Sequence, residues 1–172
     1  ILLTGGIENI FDRNYREQYW EKDWDAGKDY ENLIQINQQT DNLTLSLMGR
    51  TRLFDYEYTT NWLPRGDATL LGQQIGTTPL LWSMHSSVGY AQLRPAAPSP
   101  DPTRDVFQPI PFFSDSQGVV AMTRHELDLP LSLGPLNVVP YALGEAAYWQ
   151  EDLTGDDLGR LYGSAGVRSS LM

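Results

Sequence analysis

The stretch DNLTLSLMGRTRLF, residues 41–54, alternates apolar and polar side chains with a period of two. Leu43, Leu45, Leu47, Gly49 and Thr51 fall on one side; Thr44, Ser46, Met48, Arg50 and Arg52 fall on the other. Successive residues of an extended strand point to opposite faces, so this pattern predicts a β-strand with one apolar and one polar surface. Read outward from there, the same period recurs along most of the chain. YEYTTNW (56–62) and ATLLGQQI (68–75) read as strands separated by a turn at LPRGD (63–67). GTTP (76–79) leads into LLWSMHSSVGYAQL (80–93), where Trp82, Met84, Val88 and Tyr90 share a face and Ser83, His85, Ser87 and Gly89 share the other. VVAMTRHELDL (119–129), LNVVPYALGEAAYW (136–149) and RLYGSAGVRSSLM (160–172) complete a set of about eight expected strands.

Proline spacing supports that reading. Pro130, Pro135 and Pro140 would each break a helix, but at strand ends and in a turn the lost N–H costs least. PLSLGPLNVVPY (130–141) is therefore expected to be a β-hairpin closed at SLGP. The connections alternate in character. LFD, GTTP and SLGP are short, whereas PRGD, the proline-rich 94–118 segment and QEDLTGDD (150–157) are longer or more polar. Residues 1–28 are expected to be irregular or loop, with a short helix or loop at REQYWEKDW (16–24), and residues 29–172 to be antiparallel strands of a single domain. The chain starts without Met and stops inside a patterned run, so it is expected to be part of a longer one.

The net charge of −10 in 172 residues offers no basic stripe for nucleic acid. No apolar run approaches the roughly 18 residues of a membrane helix, which excludes helical spanning but not a barrel, where only alternate residues meet lipid. Cysteine is absent, so disulfides, thiolate metal sites and cysteine nucleophiles are excluded.

Candidate chemistry is sparse. His85 and His125 lack metal-ligand spacing and read as ordinary strand residues, a metal pair being the lesser reading. Glu126 and Asp128 share a strand face about 7 Å apart, a pairing that glycoside hydrolysis uses, but Arg124 on the same face favours a wet, ion-paired surface. DLTGDD resembles half a calcium loop without its closing glutamate, and reads as an Asp/Gly turn. No nucleophile elbow, P-loop or dinucleotide fingerprint occurs, and neither enzymatic activity nor a cofactor is expected. Tyr56, Tyr58, Trp62, Trp82, Tyr90, Tyr141, Tyr148 and Trp149 lie mostly toward strand ends, as interfacial girdles of a barrel or as core and sugar-stacking residues of a sandwich.

Three ordered pieces carry a resemblance. DNLTLSLMGRTRLFD followed by YTTNWLPRGDATLL, then GTTPLLWSMHSSVGYAQLR, then HELDLPLSLGPLNVVPYALGEAAYW with RLYGSAGVRSSL, resemble the barrel region of the lipopolysaccharide-assembly outer-membrane proteins, the LptD or organic solvent tolerance family. Together they span most of residues 40–172, and Arg65 departs from the glutamate or glutamine expected after the LP element, as in a divergent member. The resemblance implies an all-β fold, an antiparallel transmembrane barrel segment of about eight strands from a larger barrel in the cell outer membrane. It implies transport without covalent chemistry, inserting lipopolysaccharide or a similar glycolipid into the outer leaflet. The implied partners are outer-membrane lipids, a plug lipoprotein and a periplasmic bridge protein. Arg50, Arg52, Arg124, Glu126, Asp128, Glu145 and Arg168 would then face the lumen as wall or plug contacts. The rivals are another porin-like barrel and a soluble glycan-binding β-sandwich.

Overall fold

The computed structural model describes residues 1–7, 15–22, 32–55, 58–97, 115–152 and 154–171. They form one antiparallel sheet of nine strands: β1 (Leu2–Gly6), β2 (Leu33–Thr40), β3 (Leu43–Arg50), β4 (Thr59–Gln74), β5 (Leu81–Arg94), β6 (Gln117–Asp128), β7 (Leu131–Leu133), β8 (Leu136–Trp149) and β9 (Leu158–Leu171). A short helix, α1 (Tyr15–Tyr19), lies within the stretch expected to be irregular. Leu2–Gly6 departs from that expectation: it pairs in register with β2 as an edge strand of the sheet.

The topology is a meander in which each strand neighbours the next, with β6 and β7 lying end to end along β8. Their interruption explains the proline at position 140. In an antiparallel ladder a residue's N–H and C=O point to the same neighbour. The Pro140 carbonyl accepts from Leu129 N–H at 2.9 Å, so its missing N–H falls opposite the break between β6 and β7. The expected hairpin at 130–141 is present, turning at Gly134, whose φ of 65° suits glycine.

One expectation is overturned. LPRGD is not a turn; it lies in the middle of β4, a single strand of 16 residues. The pairing slips between Trp62 and Arg65 against both neighbours, a bulge that absorbs Leu63 and Pro64 while Arg65 rejoins the ladder opposite Met48 and Gly89. Gly89 on β5 makes room for it. A Cβ at that position would sit 2.9 Å from the Pro64 carbonyl oxygen and 3.0 Å from Arg65 Cα.

Strands β4, β5, β6, β8 and β9 have 12 to 16 residues, against about 5 or 6 for a typical globular strand. The strand ends that border the long connections (7–32, 51–58, 95–116 and 150–157) all lie at one end of the sheet. The opposite end carries only the turn at 41–42, the loop at 75–80 and the β7 hairpin.

The sheet is a single layer. Phe54, Ala96 and Ala147 are the buried hydrophobic residues among those described, and no large side chain is fully buried. A domain ordinarily buries its apolar faces between two packed layers. Here Ile34, Ile36, Leu45, Leu47, Val88, Leu161 and Val167 stand exposed instead.

Candidate functional site

Cross-strand register sorts every strand residue onto one of two faces, since directly opposite residues project the same way. Leu43, Leu45 and Leu47 face Leu70, Ala68 and Gly66 of β4, which in turn face Met84, Ser86 and Val88 of β5. The row continues through Ala121, Thr123 and His125 of β6, Gly144, Ala146 and Tyr148 of β8, and Leu161 of β9. Ile34 and Ile36 extend it over β2. This is the apolar face.

The polar face carries the charge. Arg50 of β3, Arg65 and Asp67 of β4, His85 of β5, Arg124, Glu126 and Asp128 of β6, Glu145 of β8, and Arg160 and Arg168 of β9 all project there. The strands place no Asp, Glu, Lys or Arg on the apolar face except Arg94, the last residue of β5 beside the long loops. Within the strands, then, the sign of the surface is decided by parity alone.

On the polar face carboxylates and guanidiniums are paired both across strands and along one strand. Arg168 donates to Asp128 at 3.1 Å and to Glu126 at still closer range, and lies 4.2 Å from the centre of the Tyr141 ring. Tyr141 lies over Gly166, where a Cβ would meet its ring at 2.9 Å. Arg160 donates to Glu145 at 2.5 Å beside Trp149. Arg65 makes a two-pronged contact with Asp67 at 2.7 and 3.0 Å and covers Trp62. The Glu126–Asp128 pair therefore shares the one guanidinium of Arg168.

The residues expected to face a lumen divide in two. Arg50, Arg124, Glu126, Asp128, Glu145 and Arg168 share the polar face. Arg52 lies beyond β3, where its guanidinium binds the carbonyls of Arg94 and Pro95 at 3.3 and 2.8 Å and the Asp55 carboxylate. It ties two long-loop segments together. Arg65, Asp67, His85 and Arg160 were missed; for the first two the turn reading of LPRGD hid a strand parity that matches Met48 and Ser46.

His85 and His125 lie on adjacent strands but on opposite faces, since His85 faces Arg124 in the register. They cannot share a metal. On the apolar face His125 belongs to a hydrogen-bonded chain instead. Trp82 Nε1 donates to His125 Nδ1 at 3.2 Å, His125 Nε2 meets Thr123 Oγ1 at 2.9 Å, and Thr123 meets Ser86 Oγ at 2.7 Å. An indole N–H only donates, so Nδ1 accepts and a neutral ring carries its proton on Nε2. That tautomer donates to Thr123 Oγ1.

At the β8–β9 loop, Asp152 Oδ1 accepts from Thr154 N and Oγ1, both at 2.7 Å, and from Asp156 N at 3.2 Å. The Thr154 hydroxyl, followed by the loop's backbone N–H groups, holds the Asp152 carboxyl below the usual carboxylate range. Its oxygen is spent on the turn, and the described residues contain no cluster of three metal-ligating side chains.

Among the aromatics, Trp82, Tyr90 and Tyr148 lie on the apolar face, and Trp62, Tyr141 and Trp149 on the polar one. Trp82 and Tyr90 bracket the apolar stretch of β5, eight residues or about 27 Å apart along the strand. Tyr56, Phe112 and Phe113 lie outside the described residues. No protein family, no curated protein and no solved structure matches this chain.

Proposed function

We propose that this sheet is part of the wall of an outer-membrane β-barrel, and that the protein inserts lipopolysaccharide or a similar glycolipid into the outer leaflet. The observation that carries the barrel reading is the parity of charge: the strands hold their ion pairs on one face and a leucine- and alanine-rich surface on the other. Hydrocarbon suits the second face and a wet lumen the first. Strand length, the aromatics at both ends of β5, and long connections at one rim with short turns at the other agree with it.

The step from barrel to glycolipid transport rests on the ordered motifs of residues 40–172. Wall residues of this kind do no covalent chemistry; they shape a passage and hold a plug partner. In cells depleted of the protein, newly made lipopolysaccharide should stop arriving at the cell surface while bulk porins still assemble. Undiminished surface delivery would contradict the transport role. A general porin shares the wall geometry, and would show solute permeability lost with lipopolysaccharide delivery intact. A soluble sandwich requires a second sheet over the leucine face.

A further inference from the structure

On the polar face the cations are not equivalent. Arg65, Arg160 and Arg168 each hydrogen-bond a carboxylate on the same face. Arg124 does not. Its nearest acidic oxygen is Glu126 Oε2 at 3.8 Å, beyond hydrogen-bond range, and that carboxylate is already held by Arg168. Half of the Arg124 side chain is exposed, at 49%, above a Glu126 that is only 17% exposed.

Directly across the ladder from Arg124 stands His85, which reaches Asp67 Oδ1 only at 3.6 Å. Directly opposite side chains have Cβ atoms about 5 Å apart. Two residues along β5, Ser87 projects to the same face between Asp67 and Met122, and its hydroxyl meets no acceptor among the described residues. Three adjacent groups thus have donors unspent: a guanidinium with five N–H bonds, an imidazole and a hydroxyl. The neighbouring carboxylates Asp67, Glu126 and Glu145 are each engaged by Arg65, Arg168 and Arg160, which leaves little negative charge to repel an incoming anion.

We propose that Arg124, His85 and Ser87 form a binding site for a phosphate group presented from the polar side of the sheet. A tetrahedral oxyanion offers several acceptor oxygens to donors arriving from different strands, whereas a planar carboxylate is satisfied by the guanidinium fork alone. The site rests on the reading of this face as the water-filled one. Phosphate there is carried either by a soluble molecule or by a lipid headgroup.

The test is calorimetry on the full chain in zwitterionic detergent at low ionic strength, with pyrophosphate in one arm and dioctanoyl phosphatidic acid in the other. Saturable binding is expected in at least one arm, and the tighter probe identifies the source. Arg124→Gln should weaken it at least tenfold, Arg124→Lys and Ser87→Ala severalfold, and Arg160→Gln less than twofold. No binding, or an equal loss in Arg160→Gln from a merely diffuse field, overturns the site. Failure of the wall reading is seen separately, in the lipid contact of positions 45 and 46, so the two outcomes do not blur.

Discussion

On β3, one residue of register separates Leu43, Leu45 and Leu47 from Thr44, Ser46, Met48 and Arg50. The backbone is common to both sets, as are the neighbours β2 and β4. Yet the first set continues across the sheet as alkyl groups and small residues, and the second as arginines stacked on aromatics and bonded to carboxylates. In a soluble sandwich the charged face would look outward and the leucine face would be covered by a second layer. Among the described residues no layer covers it. On the proposed wall reading the difference between the faces is a difference of solvent, and substitutions should then behave according to face rather than to residue type.

The largest effect is expected from exchanging the two solvents at one residue of separation. On the wall reading Leu45→Arg would put a guanidinium into hydrocarbon, at a cost of about 2–4 kcal/mol near the midplane. It should sharply reduce heat-modifiable, assembled protein in membranes, while Ser46→Arg assembles normally. Equal tolerance at both positions breaks the comparison.

A smaller effect is expected on the polar side. Arg168→Gln strips Glu126 and Asp128 of a shared counter-charge and should lower the unfolding midpoint modestly, since the groups are partly solvated. Urea unfolding of the double mutant with Glu126→Gln should show most of that loss to be shared between them. Arg124→Gln, which breaks no hydrogen bond, should be near neutral for stability. A loss at Arg124 as large as at Arg168 would show that the face is held by its overall field and not by named pairs.

Smallest is the polar chain on the apolar face. Trp82→Phe keeps the ring but removes the donor to His125 Nδ1, leaving an unpaired acceptor worth about 1 kcal/mol or less. Unfolding midpoints should fall slightly, and His125→Phe in the same background should recover the loss by removing the orphaned group. No recovery would mean that the chain contributes packing alone.

The periodic strands were legible in the sequence because both faces are so unlike: alternation at 43–50, 81–94 and 136–149 leaves one parity apolar. What escaped had a physical cause in each case. At β4, Pro64 and Gly66 carry the local signals of a turn, and only pairing with β3 and β5, with Gly89 leaving space, keeps the chain extended there. At β1, a strand ending in two glycines has little intrinsic preference for extension and is held by its ladder with β2. The polar-face row from Arg124 to Arg168 was readable by parity, since both lie in strands without a bulge. That Arg124 makes no hydrogen bond to a carboxylate among the described residues was not, because that depends on where neighbouring strands align.

The comparison between the faces meets its most direct test in lipid contact. The chain holds no cysteine, so Leu45→Cys and Ser46→Cys each create a single site for a fluorophore. With the assembled protein in bilayers containing brominated acyl chains, the label at 45 should be strongly quenched, and the label at 46 should be quenched instead by iodide from the aqueous side. Absence of lipid quenching at both positions, or equal quenching at both, would contradict the assignment of hydrocarbon to the leucine face.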